Sequence, residues 1–223
     1  MKLVDAIIMR YIQVCESIRS NGFRTFFREY IFLNRRAVIV MKNLDDIEDK
    51  TDHLNRLQIG LLELTPEILR NDIYHFEFKN RYLKARDYIK KSYKGHVIVK
   101  GNTIIGDTWY FAPRESPRGS YHNDLNWLGI RLPEDAVYAF DIFVTPSARG
   151  NNLSAVFQNN AMFLLNKKGY KKAFSFIWAD NVAARWNAKV INKWKESSTL
   201  KVSRFLMWRV AGKPQDKGQH EKP

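Results

Sequence analysis

Cysteine is almost absent from this chain. Cys15 stands alone among 223 residues, which excludes an internal disulfide framework and any cysteine-cage zinc site. A reducing, cytoplasmic compartment is the simplest expectation. No apolar run approaches the ~18–20 residues that span a bilayer. Asp5 and Arg10 interrupt the apolar start of the chain, and no small-x-small cleavage pattern follows, so no secretory leader is expected. The five histidines, at 53, 75, 96, 122 and 220, fall in no ligand spacing, so no metal is expected. Internal repeats and low-complexity blocks are missing as well.

What is present is a composition able to build a core: 45% hydrophobic and 13% aromatic, which excludes wholesale disorder. The net charge of +14 is unevenly spread. Residues 1–36 carry 7 Lys/Arg against 3 Asp/Glu, residues 166–223 carry 14 against 4, and the middle is balanced. Basic ends suit an anionic partner, whether nucleic acid, an acidic membrane surface or a polyanionic cofactor, and equally suit solubility alone.

Leu3, Val4, Ile7, Ile8, Tyr11, Ile12, Cys15 and Ile18 share one helical stripe, on which Cys15 reads as a packed thiol. Asn21-Gly22 stops that helix. Phe23, Phe26, Phe27, Tyr30 and Ile31 then make a second stripe, with Arg24 and Arg28 opposite. Residues 1–36 thus form a helical hairpin that packs on the domain, seats on an anionic membrane or meets nucleic acid. A strand follows at Ala37–Met41, a polar loop at Asp45–Asp52, and a helix start at Thr65-Pro66-Glu67. Residues 76–93 read as a charged helix. His96–Lys100 and Thr103–Phe111 form a hairpin about Gly101-Asn102. Residues 112–134, with Pro113, Pro117, Gly119, Gly129 and Pro133, make a long irregular loop of the functional kind. Val137–Val144 is a central strand interrupted by one acid, Asp141. A helix at Asn152–Asn166, a strand at Ala173–Ala179, a helix at Val182–Lys195 and a strand at Leu200–Val210 complete the pattern. The polar residues 212–223 are expected to be disordered.

The chemistry points to one string, Phe143-Val144-Thr145-Pro146-Ser147-Ala148-Arg149-Gly150-Asn151-Asn152-Leu153-Ser154. A strand stops at Pro146, turns through Arg149-Gly150 and opens into a helix. Successive backbone N–H groups and a helix N-terminus then converge on one place, which suits a phosphate. Gly150 lets the backbone approach and Arg149 adds a charge.

In this string the chain resembles the GNAT superfamily of acyl-CoA-dependent N-acyltransferases. Val144, Pro146, Arg149 and Gly150 match that family's pattern Val-x-Pro-x-x-Arg-Gly-x-Gly-x-Gly/Ala. Asn152 and Ser154 stand where the family has small residues, and Asn152 is the larger departure, one that narrows the pyrophosphate pocket. Asn181, with Ala184 three residues on, fits the family's Asn about thirty residues past the loop.

The resemblance implies an α/β domain over residues 37–211, with a mixed, mostly antiparallel sheet flanked by helices and preceded by the hairpin. It implies acetyl-CoA or another acyl-CoA as co-substrate. Pantothenate would lie along Ile142, Phe143 and Val144, and the pyrophosphate on the amides of Arg149, Gly150, Asn151, Asn152, Leu153 and Ser154, with Asn181 nearby. The reaction implied is direct attack of a primary amine on the thioester. The family's Tyr acid is missing from the helix after Asn181. Asp141 is the candidate base, acting directly or through water, or else a structural carboxylate; His122 and Asp124 are the next candidates. Arg114, Arg118 and Arg131 hint at a polar or anionic acceptor such as an amino sugar. Two alternatives stay open: the same fold with a long-chain acyl or aminoacyl-tRNA donor, and a non-enzymatic domain on a membrane or nucleic acid. Nucleic acid as a partner of the enzyme is not expected.

Overall fold

The computed structural model describes residues 32–71, 73–205, 208–212 and 215–216, together with Tyr11 and Cys15. In chain order the elements are β1 (Phe32–Asn43), α1 (Thr51–Arg56), β2 (Gly60–Glu63), α2 (Pro66–Arg70), β3 (His75–Phe76) and α3 (Lys79–Lys90). β4 (Lys94–Lys100), β5 (Thr103–Phe111), α4 (Asn123–Leu128), β6 (Ala136–Val144) and α5 (Leu153–Lys167) follow. The chain closes with β7 (Lys172–Trp178), α6 (Val182–Trp186), β8 (Lys195–Phe205), β9 (Trp208–Ala211) and β10 (Gln215–Asp216). They form one mixed sheet in the order β10-β8-β1-β7-β6-β5-β4-β2, with β3 beside β5 and β9 beside β8. Pairing is antiparallel except at β6–β7 and β3–β5.

Period-2 alternation distributes the core over both faces of this sheet. Along β1, Val38 and Val40 pack with Met162 and Leu165 of α5, whereas Ala37 and Ile39 pack with Leu125 and Leu128 of α4. The α5 layer continues through Val156 and Phe157 onto Leu54 of α1. On the other side Ala85 of α3 meets Val97, Val99 and Trp109. A fully buried Leu or Phe of this kind contributes about 2 kcal/mol of transfer free energy. Among the described residues no helix is long and apolar enough to cross a membrane.

The hairpin β4–β5, the central strand β6, the helix α5 and the strand β7 lie where alternation, helical spacing and turn chemistry place them. Thr65 caps α2, its Oγ1 accepting from the Ile68 N–H at 3.3 Å. The loop expected over 112–134 contains α4, and the strand expected at Leu200–Val210 is divided between β8 and β9. Four further features differ. β1 begins at Phe32, five residues before the expected start, because Asn34, Arg35 and Arg36 carry no apolar alternation yet pair with β8; residues 32–36 therefore belong to the sheet. The rest of the expected hairpin lies outside the described residues, apart from Tyr11 and Cys15; both are exposed, so Cys15 is not packed. The helix expected over 182–195 is α6 followed by one wide π turn, Asn187–Ile191, and β8 already starts at Lys195. The tail is not wholly irregular: Gly212 N–H donates to Lys201 O at 2.9 Å, and Gln215–Asp216 pair with Ser198–Thr199.

Candidate active site

β6 and β7 pair for only three residues, Ala136–Tyr138 against Lys172–Phe174. Beyond that point β7 stays with β1 as far as Trp178, and β6 stays with β5 as far as Val144. The two strands separate, and a cavity of about 560 Å³ opens between them. Ser154 and Gln158 of α5 reach it from one face of the sheet, and Lys84 and Tyr88 of α3 from the other. The cavity therefore runs through the sheet.

A bulge sits at the point of separation. Asp107 pairs with Phe143 and Trp109 with Phe140, so two steps on β5 face three on β6. The extra residue puts Asp141 at φ +49°, which raises the local twist and turns β6 away from its neighbour. The bulge also breaks the expected alternation. Ala139 packs into the α5 layer, but Asp141 turns to α3 along with Phe143, whose ring lies 4.8 Å beneath the Arg81 guanidinium.

Asp141 meets three donors there. Arg81 Nη1 donates to its two oxygens at 3.1 and 3.3 Å, Lys84 Nζ to Oδ2 at 2.9 Å, and the Tyr88 hydroxyl to Oδ2 at 2.8 Å. Arg81 also pairs with Asp107, which accepts from Trp109 Nε1 at 2.7 Å. Burial alone would raise the Asp141 carboxyl, but Arg81 and then Lys84 outweigh it and hold the group well below the usual carboxylate range. A carboxylate with so little proton affinity is a poor general base. In this geometry it ties β6 at the bulge to Arg81, Lys84 and Tyr88 of α3.

His122 and Asp124 border the same cavity from the start of α4. His122 Nδ1 accepts from the Asp124 N–H at 3.2 Å, so the neutral ring carries its proton on Nε2. Burial lowers its pKa and favours that neutral form. In that form His122 carries an N–H at Nε2, and its Nδ1 lone pair is already used. Asp124 is occupied by Trp127 Nε1 at 2.8 Å and by the Tyr138 hydroxyl at 3.3 Å.

After β6 the chain makes one 3₁₀ turn, Pro146–Ala148, and reaches α5 through three positive-φ residues: Gly150 (+134°), Asn151 (+46°) and Asn152 (+55°). Asn152 occupies the left-handed region, which a glycine would otherwise supply and which Asn tolerates better than other side chains. That is why an Asn can stand at this position. Among the described residues the N–H groups of Gly150, Asn151, Asn152 and Ser154 meet no protein acceptor, and they cluster at the N-terminus of a 15-residue helix. His53 Nε2 steadies the turn at 3.2 Å from the Asn151 carbonyl, and Arg149 Nε donates to Val144 O at 3.1 Å. Ile142 is exposed toward the opening. Asn181 caps α6, its Oδ1 accepting from the Ala184 N–H at 3.1 Å, and it borders the cavity as well.

Sequence reasoning missed Arg81, Lys84, Tyr88 and Gln158. Their signal was spacing: Arg81, Lys84 and Tyr88 stand at i, i+3 and i+7 on one helix, and Ser154 and Gln158 at i and i+4 on another. Arg114 is elsewhere, stacked 4.4 Å over Tyr170, and Arg118 and Arg131 are exposed away from the cavity.

No protein-family model matches the chain, and no curated protein sequence matches it either. Solved structures do. A fungal GCN5-related glucosamine N-acetyltransferase region within a multi-domain GH3 β-N-acetylglucosaminidase superposes with a TM-score of 0.57 at 14% identity, over 85% of this chain and 23% of that one. A GCN5-related N-acetyltransferase from Kribbella flavida gives 0.44 at 11% identity, over 90% and 66%. AAC(6')-Iy, in complex with the bisubstrate analogue CoA-S-monomethyl-acetylneamine, gives 0.40 at 12% identity, over 68% and 97%. The chain spans less than two thirds of the length of the first four matched structures. The likeness is one of fold: this chain has the GNAT-superfamily fold.

Proposed function

We propose that the chain is an N-acyltransferase moving an acyl group, acetyl in the simplest case, from coenzyme A to a primary amine. The observation that carries this reading is the through-sheet cavity, bordered by Ser154 at the start of α5, together with the unpartnered amides of Gly150, Asn151, Asn152 and Ser154 in the turn that opens that helix. The other mouth is lined by side chains that include Lys84 and Tyr88 of α3 and His122 and Asp124 at the start of α4. Two substrates entering from opposite faces would meet where β6 leaves β7.

In this reading the pyrophosphate sits on the Gly150, Asn151, Asn152 and Ser154 amides, favoured by the α5 dipole. The pantetheine arm runs along the β6 edge at Ile142, Phe143 and Val144, whose neighbour β7 has turned away. The amine nitrogen forms its bond to the thioester carbon, the C–S bond breaks, and the departing thiolate takes up the proton that the amine loses. The products are an amide and free CoA thiol. A thiol pKa near ~8.5 makes thiolate departure possible without a dedicated acid. Desolvation in a ring-lined cavity lowers the amine pKa and raises its neutral, nucleophilic fraction, so no strong base is required. Asp141 keeps the bulge, and so the gap between the strands, in place.

The test is thiol release from acetyl-CoA in the presence of primary amines, followed continuously with a disulfide reagent. Varying both substrates should give intersecting reciprocal plots, as a ternary complex requires. Parallel plots would mean an acyl-enzyme and would contradict direct transfer.

A further inference from the structure

The packed side of α6 and the π turn after it borders the cavity through Ala184, Asn187 and Ala188. The outward side carries a different set. Val182, Trp186 and Val190 are 76%, 59% and 49% exposed, and they recur at every fourth residue along Val182–Ile191. On an α-helix four residues overshoot a full turn by about 40°. The wider π turn, with its i→i+5 bonds, winds less per residue and takes that drift back. The three side chains therefore fall in one row. Among the described residues Trp186 has neither a ring contact nor a hydrogen bond.

The free charges beside this row have one sign. No acid occurs between Asp180 and Glu196, and both of these are engaged. Asp180 accepts from Arg35 Nε at 3.0 Å, and Glu196 pairs with Arg185 at 3.0 Å. Lys189, Lys193 and Lys195 are exposed and meet no acid among the described residues. Lys189 stands three residues after Trp186 and so flanks the row; Lys193 and Lys195 follow just past the turn.

This combination selects among partners. A second copy of the chain would bring the same positive face against itself and be repelled. A nucleic acid would engage the lysines and stack on Trp186, but would leave Val182 and Val190 against hydrated phosphates. A bilayer with anionic headgroups uses every part. The lysines meet the headgroups, the indole sits at the boundary of polar and apolar layers, and the valines enter the shallow acyl region.

We propose that the outward face of α6 and its π turn, with Val182, Trp186 and Val190, is a docking surface for an anionic lipid bilayer. The proposal stands apart from the acyl-transfer reading. Three apolar side chains and three lysines make a peripheral, reversible and salt-sensitive contact.

The experiment mixes the full chain with vesicles of phosphatidylcholine, alone or with about one-third phosphatidylserine, and follows binding by co-sedimentation and by tryptophan quenching with brominated lipid. The anionic vesicles should bind at least ~5-fold better than the neutral ones, and added salt should weaken that binding. Trp186→Ser should weaken it at least ~5-fold, whereas Trp186→Phe should retain most of it and lose the quenching. Lys189→Ser with Lys193→Ser should also weaken it at least ~5-fold. Lys90→Ser with Lys100→Ser removes as much exposed charge from other elements and should change it by less than about twofold. Absence of binding to the anionic vesicles, equal loss in both lysine pairs, or quenching unchanged in Trp186→Phe would overturn the proposal. A duplex oligonucleotide bound through Trp186 without any vesicle binding would give the face to nucleic acid instead. A dimer in ultracentrifugation that Trp186→Ser abolishes would give it to a second copy.

Discussion

Asp141 is surrounded by Arg81, Lys84 and Tyr88 before any substrate arrives. Removing its charge leaves two cations facing one another around a neutral amide, and breaking a buried pair from one side costs about 3 kcal/mol or more. Asp141→Asn should therefore lower the denaturant midpoint markedly, with the slope of the transition unchanged. A variant that unfolds with the wild-type midpoint but loses turnover would restore Asp141 as a proton acceptor. Arg81→Met, which strands Asp107 and Asp141 together, should be at least as destabilising. The acid was visible in the sequence as an interruption of an apolar strand, but its environment was not. Strict alternation along Val137–Val144 would set it on one face with both Ala139 and Phe143. The bulge inserts one residue, and a period-2 pattern cannot show where such an insertion falls.

The turn from β6 into α5 is the element on which cofactor binding depends. Its string was legible because Pro146, Arg149 and Gly150 each restrict the backbone in a recognisable way. The conformation of Asn152 was not legible, since an Asn fits either hand of the backbone. At φ +55° an alanine costs about 1 kcal/mol that Asn and Gly largely avoid. Asn152→Ala should thus lower Tm and weaken acetyl-CoA binding, whereas Asn152→Gly should keep both near wild type. Loss of binding in the glycine variant with Tm intact would show that the Asn side chain itself contacts the ligand. The short pieces α1, β2 and α4 escaped sequence reading for a related reason. Each spans six residues or fewer, too few for periodicity to emerge, and tertiary contacts decide them. Beyond Trp186, the π turn and Lys193 at φ +53° end the helix where the sequence showed neither Gly nor Pro.

At the scale of the whole molecule, stability should depend on pH through His96. Burial lowers its pKa to about 4, and its ring lies 5.4 Å from that of Tyr110 with Nδ1 unpartnered. Between the unfolded value near 6.5 and about 4, the unfolded chain binds a proton that the folded chain does not, so stability rises with pH across that window. The full span amounts to about 3 kcal/mol. Tm should fall as pH drops from 7 to 4.5, and His96→Gln should flatten the slope; an equal slope in the variant would place the titration elsewhere.

The account as a whole rests on acyl-CoA entering at the α5 face. The direct measurement is a calorimetric titration of acetyl-CoA into the full chain and into Gly150→Val. Gly150 sits at φ +134°, where a β-branched residue is strongly disfavoured, so the variant must rebuild the turn that presents the four amides. The wild-type chain should bind one equivalent at micromolar Kd, and Gly150→Val should bind at least ~10-fold more weakly while unfolding as a cooperative domain. No heat from the wild-type chain, or the same affinity in both, would contradict the account.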